Sequence, residues 1–147
     1  MPGTNESVEI VKDLIETCRD GQNGYLHAAS QVEDPKLKAY FDEQSLKRGR
    51  FAVELEEAST RLGDVDASDT GTVAGVMHRA WFELKGDLGV GNHEILVSVE
   101  QGEDRAKKGY EDAMNAALPE MLLSIIREQY ASVKAAHDRV RDWRDGY

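Results

Sequence analysis

One cysteine, Cys18, stands in the whole chain, so no internal disulfide can form. Such sparing use fits a reducing compartment, and a cytoplasmic location is expected. There are three prolines, which leaves long stretches with nothing to break a helix. Basic residues are outnumbered: 18 Lys and Arg face 28 Asp and Glu, a net charge of −10. An acidic surface repels phosphate backbones, so no nucleic-acid partner is expected. No apolar run approaches the ~20 residues that span a bilayer, and no membrane partner is expected either. The opening MPGTNESVEI lacks the charged-then-apolar layout of a signal peptide.

What is present is charge at helical spacing. The chain is 40% hydrophobic and 31% charged over 147 residues, enough for one domain with a real core, here read as 1–147. Val8, Val11, Ile15, Cys18, Gln22, Tyr25, Ala29 and Val32 follow an unbroken alternation of three and four. That is one stripe of an amphipathic helix, expected over about 6–33, with Asn5 or Ser7 as its cap. Asp34-Pro35 ends it and opens the next helix, about 36–62. The second stripe is Leu37, Phe41, Gln44, Arg48, Phe51, Leu55, Ala58 and Leu62. So short a link makes the two helices an antiparallel hairpin.

A polar loop follows Gly63. Val73, Val76, Met77, Trp81 and Leu84 predict a shorter helix over about 71–86, ended by the glycine-rich GDLGVGNH. That stretch lacks the lysine and the strand-loop-helix setting of a phosphate loop, so it reads as a turn. His78 and Trp81 lie on the short helix; Trp81 covers the side of the bundle and His78 is a candidate for a binding surface. The third long helix, about 94–117, runs through Leu96, Val99, Glu103, Ala106, Tyr110, Ala113 and Ala117. The fourth, about 120–144, carries Leu123, Ile126, Tyr130, Val133, His137 and Val140. No nucleophile motif is present.

The second half repeats the first. Gly24-Tyr25 matches Gly109-Tyr110, and Glu43-Gln44 matches Glu128-Gln129, both at an offset of 85. Repetition of this length signals two pseudosymmetric helical hairpins. The expected fold is therefore all-α: a four-helix bundle whose hairpins are joined by a long crossover containing a short helix.

ETCRDGQNGYLHAA, GVMHRAWFELK and SVKAAHDRVRDWRD resemble a bacterial ferritin-like family of four-helix-bundle proteins, within the superfamily that includes rubrerythrin. The resemblance covers about residues 8–144. It implies a ferritin-like bundle and, from related families, a stress-associated role. In the di-iron members two helices each give a Glu and two give Glu-x-x-His. Carried over by position, these fall at Cys18, at Arg48 and Phe51, at Glu103 with Glu100 one turn before it, and at Lys134 and His137. Only Glu103 and His137 keep the ligand type, so the resemblance is to a degenerate di-iron site.

Two readings follow. In the first, the protein is non-catalytic and the metal centre is replaced by an interior polar network of Arg48, Glu103 and His137, with Gln22, Gln44, Tyr25 and Tyr110 around it. No cofactor is then needed. A buried carboxylate must be paired, and a guanidinium meets it in matching geometry; His137 is expected against Glu103 or Tyr25. In the second, Cys18, Glu103 and His137 hold one zinc ion, or an atypical iron site recruits Glu100. Either form is expected as a homo-oligomer, a dimer by preference; the charge-alternating C-terminal helix reads as a solvated face or as a dimer contact through Trp143.

Overall fold

A computed structural model describes residues 4–61 and 91–146. These form four α-helices: α1 (Thr4–Gln31), α2 (Pro35–Arg61), α3 (Asn92–Met114) and α4 (Glu120–Gly146). There is no strand among the described residues. The expected crossover helix, with His78 and Trp81, lies outside them.

Helix starts follow local chemistry. Asp34 caps α2, its side chain accepting from the Lys36 N–H at 2.8 Å, and Pro35 occupies the first helical position, where its missing N–H costs nothing. α1 begins at Thr4, so Asn5 and Ser7 lie within the helix rather than capping it. α3 stops at Met114, short of the expected 117: the Asn115 side-chain amide donates to the Glu111 carbonyl at 3.0 Å, and the next N–H, of Ala116, tightens onto the Ala113 carbonyl at 3.1 Å. Ala117 is exposed as a result.

α1 packs on α2, α3 on α4, α1 on α3 and α2 on α4. The directions follow from a few contacts. The Glu33 N–H, in the α1–α2 turn, donates to Asn92 Oδ1 at 3.1 Å, so α3 starts beside that turn. Arg61 lies a full helix away, ~40 Å at 1.5 Å per residue. α2 and α3 are therefore parallel, and the chain between Arg61 and Gly91 joins opposite ends of the bundle. Trp143 closes the turn end: its ring meets Tyr40 edge-on at 4.9 Å, with Arg139 and Lys36 over it.

The core consists of two apolar clusters. One, toward the Arg61 end, centres on Leu14, Ile15, Leu55, Ile126 and Val133. The other, toward the turn, centres on Leu37, Phe41, Leu96, Val99 and Val140. Between them lies a layer of polar side chains.

Candidate functional site

Arg48 and Glu103 occupy the middle of the bundle, 1% and 0% exposed. Arg48 Nη2 donates to Glu103 Oε2 at 2.5 Å, and the Tyr25 hydroxyl donates to the same oxygen. The guanidinium also lies over the Tyr25 ring, 5.4 Å from its centroid. Burial works against the charge on Arg48, yet Glu103 holds its pKa above the ordinary value. Burial and the neighbouring Glu103 carboxylate drive the Tyr25 hydroxyl well above its usual range, so it stays a donor. Arg48 Nη1 and Glu103 Oε1 are buried with no hydrogen-bond partner.

A second chain of bonds adjoins this pair. The Tyr110 hydroxyl donates to Gln129 Oε1 at 2.7 Å. Its hydrogen being used there, the Cys18 thiol at 3.0 Å is the donor to the Tyr110 oxygen. Gln129 Nε2 in turn donates to Glu54 Oε1 at 2.7 Å and to the Phe51 carbonyl at 3.3 Å. Burial pushes the thiol up to about 11, against the pull of the Tyr110 hydrogen bond and of Arg48.

His137 does not belong to this interior layer, contrary to its expected place beside Glu103 or Tyr25. Its Nε2 lies 2.7 Å from Asp104 Oδ1 and 3.9 Å from Glu100 Oε2, and its Nδ1 lies 3.1 Å from Asp138 Oδ1. The reason is register: Glu100 and Asp104 flank the α3 stripe on the side of α4, whereas Glu103 points across to α1 and α2. Arg144 bonds the other oxygen of Glu100. Hydrogen bonds from His137 and Lys134 bring Asp138 down to about 2. Lys134 is exposed and bound to Asp138 at 3.1 Å.

Among the described residues, Glu100, Asp104 and His137 are the group whose metal-ligand atoms all fall within 4.8 Å of one another. Cys18 and Glu103 stand outside it, each bonded elsewhere. Gln44 is buried, while Gln22 is only half-buried; Gly21 takes the innermost place on that turn of α1. Sequence reasoning missed Gln129, Glu54 and Asp104. Gln129 had a signal, since it repeats Gln44 at the offset of 85; the periodic stripe passes one residue away, through Tyr130. Asp104 had a weaker one, its four-residue spacing from Glu100.

No curated protein matches the chain. No described helix is long and apolar enough to cross a membrane. A family model described as a domain of unknown function (DUF2383) matches residues 6–116, more than half of the 147 residues, and the chain belongs to that family.

Proposed function

We propose that the protein is a non-catalytic bundle, serving as a structural or interaction module, in which a fixed ion pair stands where ferritin-like proteins hold iron. The observation that carries this reading is Arg48. A buried guanidinium, held by Glu103 and lying over Tyr25, fills the layer and repels a divalent ion. A di-iron centre needs about four inward carboxylates and two imidazoles, whereas Glu103 is bonded by Tyr25 and Arg48, and the chain adjoining them is Cys18, Tyr110 and Gln129. The donor set does not fit the cluster. A stress-associated role is what the ferritin-like resemblance adds.

Iron loading under anaerobic conditions, desalting and elemental analysis test this. The expected result is no retained pair of irons in the wild type. Two irons per chain, lost in Glu103→Gln, would overturn the reading.

The interaction role includes self-association. Leu46 and Val53 are 64% and 43% exposed and lie seven residues apart, on one face of α2. They line an open groove with Gly49, Phe51 and the α1 residues Arg19 and Gln22. This face is a better dimer contact than Trp143, which is half-buried against Tyr40. Light scattering on the wild type and on Leu46→Glu/Val53→Glu tests it: a dimer that becomes a monomer is expected, and an unchanged mass rejects this face.

A further inference from the structure

Glu100 and Asp104 are four residues apart on α3 and so share one face of the helix. His137 meets them from α4, with Nε2 2.7 Å from Asp104 Oδ1 and 3.9 Å from Glu100 Oε2. Glu100 and His137 are buried, whereas the Asp104 side chain is 61% exposed. The cluster is thus walled on the bundle side and open on one side to solvent.

Both nitrogens of His137 face carboxylate oxygens, which only accept hydrogen bonds when ionised. A neutral ring has one N–H. With that hydrogen on Nδ1, directed at Asp138 Oδ1 3.1 Å away, Nε2 turns a lone pair toward Asp104 and Glu100. Lone pair against carboxylate is repulsive, unless the ring takes a second proton or a cation sits between them. A carboxylate holding the far N–H is the arrangement that orients metal-ligating histidines.

We propose that Glu100, Asp104 and His137 form a binding site for one first-row divalent cation of the zinc class, with Asp138 as the positioning residue. One imidazole nitrogen and two carboxylate oxygens are donors such an ion accepts, and a fourth position stays open to water on the Asp104 side. Two carboxylates and a neutral ring offer two negative charges to a doubly charged ion. Ligand atoms around tetrahedral zinc stand roughly 3.3 Å apart at ordinary bond lengths. The present atoms, all within 4.8 Å of one another, need only side-chain adjustment. The site is separate from the interior layer: Glu103 and Cys18 take no part. Arg144, bonded to Glu100, competes with the ion for that carboxylate.

Zinc titrated calorimetrically into the metal-free full chain tests the site. One zinc per chain is expected. His137→Gln and the exposed, fold-neutral Asp104→Asn should both lose it, and Asp138→Asn should weaken it by about tenfold. Cys18→Ala should leave the affinity unchanged. Arg144→Ala should tighten binding several-fold, which incidental surface coordination would not show. No stoichiometric binding, wild-type affinity in Asp104→Asn, or an Arg144→Ala protein that binds no tighter would each overturn the proposal. The iron result above is independent, since it concerns Glu103 and not this cluster.

Discussion

Arg48 is the residue on which the interior turns. Its pairing with Glu103 is desolvated, and one nitrogen and one oxygen of the pair lack partners. Removing one charge strands the other. Arg48→Ala should therefore cost about 3–5 kcal/mol in urea unfolding. Replacing both, as Arg48→Met/Glu103→Met, should cost less than Arg48→Ala alone, because an apolar layer has no charge left to strand. A double variant weaker than the single one would show that the pair is a net stabiliser. The repeat explains why the charges come together. At an offset of 85, Tyr25 corresponds to Tyr110, Glu103 to Cys18 and Arg48 to Val133. Tyr25 with Glu103 and Tyr110 with Cys18 are thus the same contact in the two halves. The half with the carboxylate has the arginine; the half with the thiol has a valine and needs no counter-charge. Cys18 itself carries a pH prediction. Its folded pKa, raised by burial from 9.0 to about 11, exceeds the unfolded one. The stability it contributes is full below pH 9 and is lost as pH rises toward 11, at up to about 1.4 kcal/mol for each step of one in pH. Urea midpoints measured from pH 8 to 11 should fall above pH 9, and fall less steeply in Cys18→Ala. The buried Tyr25 and Tyr110 act in the same direction, so some decline remains there.

Between α1 and α2 the close approach depends on two glycines that face each other's neighbours. A Cβ on Gly21 would lie 2.9 Å from Arg48 Nη1 and 3.3 Å from Arg48 Cγ; one on Gly49 would lie 2.8 Å from Gln22 Nε2. The two positions look alike and should behave oppositely. Arg48 is fully buried, bonded through Nη2 to Glu103 and laid over the Tyr25 ring, so Gly21→Ala overpacks the layer and should cost about 1–3 kcal/mol despite the gain in helix propensity. Gln22 is half-buried and its amide can swing outward, so Gly49→Ala should be neutral or stabilising by up to about 1 kcal/mol. Equal losses in thermal unfolding would show that helix separation, and not the pinned guanidinium, sets the cost. The elements themselves were legible in the sequence. The alternation of three and four placed all four long helices, and Asp34-Pro35 marked where the second begins. The inner edge of the α1 and α4 stripes was less so. Gly21 and Gln129 hold innermost places where the spacing favoured Gln22 and Tyr130, because a stripe drawn by hydrophobicity passes over a glycine and prefers an aromatic to an amide. Close helix contact and hydrogen-bond demand decided those positions.

At the scale of the molecule, the topology was legible because the hairpin lengths match and the repeat is long. The cluster at Glu100, Asp104 and His137 was legible only in part: His137 lies on the fourth stripe and Glu100 one turn before Glu103, but Asp104 lies beside the third stripe, where charged side chains are ordinarily solvated. Only the relative rotation of α3 and α4 shows that two acidic residues meet a histidine. The same surface sets the response to salt. A net charge of −10 makes the folded chain repel itself. Against this stand exposed ion pairs such as Lys38–Asp42, Lys47–Glu43 and Lys108–Asp112, each of small value. Salt screens both, but repulsion acts over the whole surface and the pairs act singly. Sodium chloride raised from about 0.02 to 0.3 M shortens the screening length from roughly 20 Å to 6 Å. The melting temperature should rise by a few degrees, since about 1 kcal/mol corresponds to ~4 °C in a chain of this size. The Arg48–Glu103 pair, buried away from salt, should contribute nothing to the change, so Arg48→Met/Glu103→Met should show the same rise as the wild type. A fall in melting temperature would mean that the surface pairs outweigh the net repulsion, and a smaller rise in the double variant would mean that ions reach the interior layer.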